Sequence, residues 1–318
     1  MGKRRKPRGT ETVIEFRPST RLLPVPLGLK TGATGAGIIL IGTMKDVTKT
    51  LAEDPRLRRI AGQHNGLVKE LRRAFTRSEL TSDGYCAIEG LRILEEAIRS
   101  GLRFRAVFFN QTASARAERL LSQLRANVET LLLPDKLFAS IVPSEAPQGV
   151  AALVRWKDFS LSQILDNAQT GPLLVIAGVQ DPGNLGTILR SAEAFGAGGV
   201  VLGEGTVSPF NPKVIRASAG SVFRLPVART KLSAAIERMR EANLRLVATA
   251  SHKGTPLDQA RLSDPVAIFM GSEGAGVSRD LIKAMDEVIA IPQASQVDSL
   301  NVGVAASIVL YEVARQRR

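Results

Sequence analysis

What most constrains this chain is a regular alternation, in its second half, between short apolar runs and amphipathic stretches. Leu173–Ala177, Val200–Leu202, Leu246–Ala250, Val266–Met270 and Val288–Ile291 read as buried strands. Asn184–Phe195, Asn211–Ala217, Leu232–Ala242, Arg279–Met285 and Leu300–Arg315 read as helices between and after them. Strands that alternate with helices predict an α/β fold with a parallel sheet covered by helices on both faces. In such sheets ligands collect beyond the carboxyl ends of the strands. The residues just after each strand are therefore where function is sought.

A smaller α/β region precedes this one. His64–Phe75 sets Leu67, Val68, Leu71 and Phe75 on one helical face and leaves Lys69, Arg72 and Arg73 off it. Tyr85–Ile88, Ala106–Phe109, Thr130–Leu133 and Gly149–Trp156 read as strands, and Glu89–Ser100 and Ser114–Ala126 as helices. Before these, Lys3, Arg4, Arg5, Lys6 and Arg8 form a basic run, followed by scattered prolines and glycines, which reads as a flexible extension. Its apolar piece, Gly37–Gly42, is too short and too far from the basic start for a signal peptide. The expected division is an extension over 1–43, of the kind an upstream start codon would add, a first domain over 44–157, a linker over 158–170 and a second domain over 171–318.

Composition narrows the classes. With 318 residues, 44% hydrophobic and 23% charged, the chain is neither disordered nor fibrous. One cysteine excludes an internal disulfide framework, and two distant histidines argue against a metal centre. No run of about 18 apolar residues predicts a membrane span. The expectation is a cytoplasmic protein without membrane or metal. Lys and Arg total 43 against 30 Asp and Glu, a net charge of +13 concentrated in the first half, which suits a polyanionic partner such as a nucleic acid.

Three post-strand segments stand out. The first runs Gly178-Val179-Gln180-Asp181-Pro182-Gly183-Asn184-Leu185-Gly186 to Arg190, with Asn184 as the expected helix cap and Arg190 opposite the apolar face. The second is Gly271-Ser272-Glu273-Gly274-Ala275-Gly276, whose glycines permit close backbone approach to a ligand. The third is Ile291-Pro292 through Ser299-Leu300-Asn301-Val302, leading into a helix of small residues. Each taken singly also reads as an ordinary capped loop. No GxxxxGK[ST] phosphate loop, no strand-linked GxGxxG and no GxSxG elbow is present. Cys86 reads as a core residue and His252 as a surface one.

Together, in this order and spacing, the segments resemble the three motifs of the SpoU (TrmH) family of RNA ribose 2'-O-methyltransferases, within the SPOUT superfamily. Asn211-Pro212-Lys213-Val214-Ile215-Arg216-Ala217-Ser218-Ala219-Gly220-Ser221 resembles a further stretch of its members. Gly303 departs from the pattern, since Ser or Ala is familiar there. The resemblance implies that the C-terminal domain is a trefoil knot, preceded by a small RNA-binding domain built like a ribosomal protein. It implies S-adenosylmethionine held near Thr249, Gly271, Ile291 and Leu300, and catalytic roles for Asn184, Arg190, Glu273, Ser299 and Asn301. It implies a homodimer through the catalytic domain, with residues of both subunits at each site. RNA contacts are expected from Lys213, Arg216, Arg224, Lys69, Arg72 and Arg73. Ribosomal RNA of the large subunit (23S) is favoured over transfer RNA. The alternatives are the same chemistry on transfer RNA, or a non-enzymatic RNA-binding protein that kept the fold.

Overall fold

A computed structural model describes residues 56–113, 119–294 and 299–318. The predicted extension over 1–43 and the start of the predicted helix Ser114–Ala126 lie outside these residues. The described residues form one compact unit built on two sheets.

The first half contains β1 (Leu57–Arg59), α1 (Gly66–Arg77), β2 (Tyr85–Glu89), α2 (Leu91–Arg99), β3 (Phe104–Asn110), β4 (Glu129–Leu133), α3 (Asp135–Ala139) and β5 (Val150–Arg155). Its sheet runs β1-β4-β3-β5-β2, parallel among β1, β4 and β3 and antiparallel where β5 meets β3 and β2. Successive side chains of β3 face opposite ways, as a strand requires. Ala106 and Phe108 pack with Leu67, Val68 and Leu71 of α1, while Val107 and Phe109 join the side chains of α2. Asn65 caps α1, its side chain accepting from the backbone N–H groups of Leu67 and Val68.

The second half follows with α4 (Leu161–Asp166), β6 (Leu173–Ile176), α5 (Pro182–Ala194), β7 (Gly199–Leu202), α6 (Pro212–Ala217), β8 (Val227–Arg229) and α7 (Leu232–Glu241). Then come β9 (Arg245–Ala250), β10 (Thr255–Pro256), β11 (Val266–Met270), α8 (Arg279–Lys283), β12 (Glu287–Ala290) and α9 (Val302–Gln316). Its sheet is wholly parallel in the order β10-β12-β9-β11-β6-β7-β8. Leu173 and Val175 face the layer of α4, α7 and α8; Leu174 and Ile176 face that of α5, α6 and α9. Both faces are buried, which is why these strands read as unbroken apolar runs.

The expected linker over 158–170 is not one. Ser160 and Gln163 form a reciprocal cap, with the Ser160 hydroxyl accepting from the Gln163 N–H and Gln163 Oε1 accepting from the Ser160 N–H at 2.8 Å. The helix that follows buries Ile164 and Leu165 in the core of the parallel sheet, and Ala168 is buried just beyond it. The two halves also share a core. Ile93, Leu94 and Ala97 of α2 belong to the same buried cluster as Val214, Ile215, Val222 and Phe223. An edge-on ring contact between Trp156 and Phe210, with centroids 4.7 Å apart, and a 2.6 Å bond from the Ser208 hydroxyl to the Ser78 carbonyl seal the junction.

Candidate active site

The three post-strand segments meet at the carboxyl edge of the parallel sheet. Beside the second and third of them lies a pocket of about 400 Å³, lined by residues at the ends of β9, β11 and β12, by the loops after them and by the start of α9. Thr249, Gly271, Ile291 and Leu300 are all in its wall, as are Glu273 and Ser299. Thr249 is positioned by its own hydroxyl, which donates to the Phe269 carbonyl at 3.1 Å. Gly271 is there because nothing larger fits: a Cβ on it would lie 1.8 Å from the backbone of Gly276, where the loop curls back and pairs with Ser272.

A chain of side-chain hydrogen bonds ties the motifs to one another. The Glu273 carboxylate accepts from the backbone N–H groups of Gln180 (3.3 Å) and Asp181 (3.1 Å) and from Asn184 Nδ2 (3.0 Å). Asn184 Oδ1 accepts from Asn301 Nδ2 at 2.9 Å. Asn301 Oδ1 in turn caps α9, accepting from the N–H groups of Gly303 and Val304. Desolvation pushes the Glu273 pKa up, but the donors from Asn184 and the two backbone amides outweigh it, and the carboxyl stays ionised below its ordinary range.

Asn184 is not the helix cap expected from the sequence. Asp181 is, its side chain accepting from the Asn184 N–H at 2.7 Å, with Pro182 in the first helical position. Proline suits that position because the helix has no use for its missing N–H. Asn184, one turn in, is thereby free to bridge to Glu273 and Asn301. The Asp181-Pro182 pair was the readable signal for this.

Arg190 is elsewhere. It is exposed, forms no ion pair among the described residues, and lines a second cleft of about 370 Å³ between the two halves, together with Glu89, Arg92, Glu96, Ser144 and Arg216. Glu89 is buried there. Desolvation raises its pKa against the opposing effects of Ser144, whose hydroxyl donates to it at 2.8 Å, and of Arg216 at 3.5 Å.

The residues expected to face RNA divide. Lys69, Arg73 and Lys213 are exposed and form no ion pair among the described residues; Arg72 is half-buried and donates to Ser140 at 3.4 Å. Arg216 is exposed and shared with Glu89. Arg224 has a different task. It forks onto both oxygens of Glu193, reaches Glu96 at 2.9 Å and touches Ser100, so its guanidinium, though partly exposed, is spent on joining the halves. Cys86 is fully buried and its thiol is pushed up to about 12 by that burial, which leaves no thiolate for chemistry. Among the described residues, no cluster of three or more His, Cys, Asp or Glu could hold a metal, and no helix is long and apolar enough to cross a membrane.

The pocket wall is mixed: Leu257, Ile289 and Val309 contribute aliphatic surface, and Thr249, Ser272 and Glu273 contribute polar groups. Gln293 also lines the pocket, and its Oε1 is buried without a hydrogen-bond partner among the described residues.

Comparison with known proteins agrees with this geometry. Residues 171–311 match the model of the SpoU rRNA methylase family, and residues 65–152 match that of the MRM3-like substrate-binding domain. The chain is 33% identical over 258 residues to the 23S rRNA (guanosine(2553)-2'-O)-methyltransferase RlmP of Bacillus subtilis, covering 81% of this chain and 99% of that one. It is 34% identical to the 23S rRNA (guanosine-2'-O-)-methyltransferase RlmB of Yersinia pestis, over 69% of this chain and 92% of that one. An AdoMet-bound rRNA methyltransferase structure from Sinorhizobium meliloti superposes with a TM-score of 0.71 at 28% identity, covering 82% of this chain and 98% of that one. With both halves matched by family models and nearly the full length of a curated relative spanned, the chain belongs to the SpoU family of rRNA methylases.

Proposed function

We propose that this protein transfers a methyl group from S-adenosylmethionine to a ribose 2'-hydroxyl of RNA, with 23S ribosomal RNA as the substrate. The observation that carries this reading is the Glu273–Asn184–Asn301 chain, which ties the three motifs together beside a pocket lined by the second and third. Both relatives described above bear names of 23S rRNA 2'-O-methyltransferases.

When bound, the cofactor supplies a methyl group on an already activated sulfonium. Thr249, Gly271, Ile291 and Leu300 would hold it. The remaining task of the protein is to align a ribose hydroxyl and stabilise the charge that develops on its oxygen. Arg190 performs this electrostatically: its guanidinium contacts the target phosphate and hydroxyl and stabilises the developing charge. Asn184 and Asn301 each commit their carbonyl oxygen and one N–H within the protein, which leaves one N–H apiece to orient the ribose. Glu273 holds the loop. The proton of the ribose hydroxyl would leave to solvent. Lys69, Arg72, Arg73, Lys213 and Arg216 position the RNA through its phosphates.

A homodimer belongs to the same reading. Val304, Ile308 and Tyr311 recur every three to four residues along α9 and are exposed at 47%, 37% and 53%. They form an apolar stripe beside the catalytic motifs, suited to a second copy of the chain. The protein would act in the cytoplasm, where ribosomes are assembled.

The test is transfer from labelled S-adenosylmethionine to unmodified 23S ribosomal RNA and to transfer RNA, followed by digestion and mass separation of nucleosides. A 2'-O-methylnucleoside from the ribosomal pool is expected. Label in transfer RNA alone would reassign the substrate, and RNA binding without cofactor binding would leave a non-catalytic protein.

A further inference from the structure

The cleft between the halves gathers three arginines, Arg92, Arg190 and Arg216, beside one buried carboxylate, Glu89. Glu89 ends β2, and Ser144 lies in the segment from α3 to β5, so both belong to the first half. Arg216 belongs to the second, on α6. The Ser144 hydroxyl donates to Glu89 Oε2 at 2.8 Å and accepts from Arg216 Nη1 at 3.2 Å, and the same nitrogen lies 3.5 Å from Glu89 Oε2. Glu96, the other carboxylate of the cleft, is engaged by Arg224 at 2.9 Å. The first half thus holds a guanidinium of the second by one nitrogen, and the Arg216 side chain remains 37% exposed.

Stability alone does not account for this arrangement. A buried carboxylate is costly to desolvate, and an ion pair with a partly exposed arginine offsets that cost poorly. The effect is one of position. Helices α5 and α6 approach closely, since a Cβ on Gly186 would lie 2.3 Å from that of Ala217. Arg190 lies one turn beyond Gly186 on the same stripe of α5, and Arg216 directly precedes Ala217, so both arginines open into the one cleft. With Nη1 held, the Nε and Nη2 edge of Arg216 is the one left to fork onto a phosphate. Glu89 also relieves the repulsion among the three arginines before RNA arrives. We propose that Glu89 and Ser144 are positioning residues of the methyl transfer, which set Arg216 beside Arg190 so that the two hold one phosphate of the target RNA. This rests on the methyltransferase reading. It makes the first half part of the active centre as well as an RNA platform.

The test uses the full chain with unmodified 23S ribosomal RNA. It reads single-turnover transfer at saturating RNA, equilibrium RNA affinity, and affinity for S-adenosylhomocysteine. Glu89→Gln should slow transfer about tenfold or more, the scale of a misplaced positioning group. It should bind S-adenosylhomocysteine as wild type does, and RNA at least as tightly, because a negative charge has left the cleft. In an Arg216→Ala background the same substitution should slow transfer no further. Ser144→Ala should slow transfer and Ser144→Thr, which keeps the hydroxyl, should restore it. Transfer by Glu89→Gln at the wild-type rate overturns the assignment. So does a loss of RNA affinity in step with transfer, or an equal further loss in the Arg216→Ala background, since either places Glu89 in the general fold. Melting curves check folding; if Glu89→Gln does not fold, the serine pair decides, and equal rates in Ser144→Ala and Ser144→Thr overturn the assignment. Wild type that neither binds S-adenosylhomocysteine nor transfers label removes the methyltransferase reading and this assignment with it, whereas an active wild type matched by Glu89→Gln removes the assignment alone.

Discussion

Asn184 and Asn301 lie 117 residues apart in sequence and face each other across a 2.9 Å hydrogen bond, with the carbonyl of the first accepting from the amide nitrogen of the second. Neither amide can turn around. Asn184 Nδ2 is claimed by the ionised Glu273, and Asn301 Oδ1 by the first N–H groups of α9. The two residues therefore separate a capping role from a linking one. Asn301→Asp keeps an oxygen for the cap but sets a carboxylate against the Asn184 carbonyl. Its melting temperature should stay near that of wild type while transfer falls at least tenfold. Asn301→Ala loses both functions, and should also lose about 1 kcal/mol of stability. Melting curves and single-turnover rates on the same preparations separate the two. Equal rates in Asn301→Asp and wild type would leave the linking bond without a catalytic role.

The Glu273 carboxylate is depressed below its ordinary value of 4.5 in the folded protein. A carboxyl with that shift favours the native loop above its unfolded pKa, and the advantage disappears as pH falls through the folded one. Cofactor affinity should therefore be flat from pH 8 to about pH 5 and weaken below the ordinary carboxylate range. Glu273→Gln should remove most of that acid limb and bind less well at neutral pH, since its NH₂ group meets the donors of Gln180, Asp181 and Asn184. Affinity for S-adenosylhomocysteine measured across pH in both proteins decides this; identical profiles would place the titrating group elsewhere.

Arg224 and Lys213 were read alike from the sequence, as basic residues facing RNA, and the fold separates them. Arg224 spends its fork on Glu193, Glu96 and Ser100. Arg224→Ala should lower stability by about 1–2 kcal/mol, with its partial exposure holding the effect down. The slope of RNA affinity against salt should not change. Lys213→Ala should leave melting unaltered and reduce that slope by about one phosphate contact. The paired measurement is urea denaturation and RNA binding at several salt concentrations.

That contrast marks what the sequence makes legible. Strands such as Val266–Met270 are visible because burial on both faces demands an apolar run, and the three motifs because glycine, proline and asparagine cluster after strands. Charge pairing between residues 128 apart, as in Arg224 with Glu96, has no local pattern. The helix Leu161–Asp166 was hidden because it buries only Ile164 and Leu165 among polar neighbours. The short strands Leu57–Arg59, Val227–Arg229 and Thr255–Pro256 carry too few residues for a period.

Gly303, the one departure from the motif pattern, has a local cause. A Cβ there would lie 3.2 Å from both Cβ and Cγ2 of Thr187 on α5, so α9 approaches closely at this point. Glycine inside a helix costs roughly 1 kcal/mol relative to alanine. Gly303→Ala alone should be close to neutral, because the helical gain is offset by crowding against Thr187. Thr187→Ser removes Cγ2 but retains the hydroxyl that donates to the Gly183 carbonyl at 2.9 Å. Placed in that background, Gly303→Ala should be more favourable than in wild type, although the Cβ of residue 187 and Asn301 Oδ1 still lie 3.2 Å from the added methyl. A four-protein thermal cycle reads the coupling, and additive effects would show that the contact with Thr187 does not account for the glycine.

Arg190 lines the cleft between the halves, not the pocket at the sheet's carboxyl edge in its own chain, and it is exposed and forms no ion pair among the described residues. Binding and transfer should therefore separate cleanly at this position. Arg190→Ala should bind S-adenosylhomocysteine within about twofold of wild type while transfer falls a hundredfold or more, the size of a lost charge-stabilising donor. Arg190→Lys retains the charge without the planar fork, and its rate should lie between the two. The apolar stripe on α9 makes the companion case: Tyr311→Glu should shift the protein toward monomer in sedimentation. If each site draws on both subunits, transfer should fall with the dimer while cofactor affinity holds. A monomeric Tyr311→Glu variant with full transfer activity would show that Arg190 serves the pocket of its own chain, and that the reaction needs no second copy.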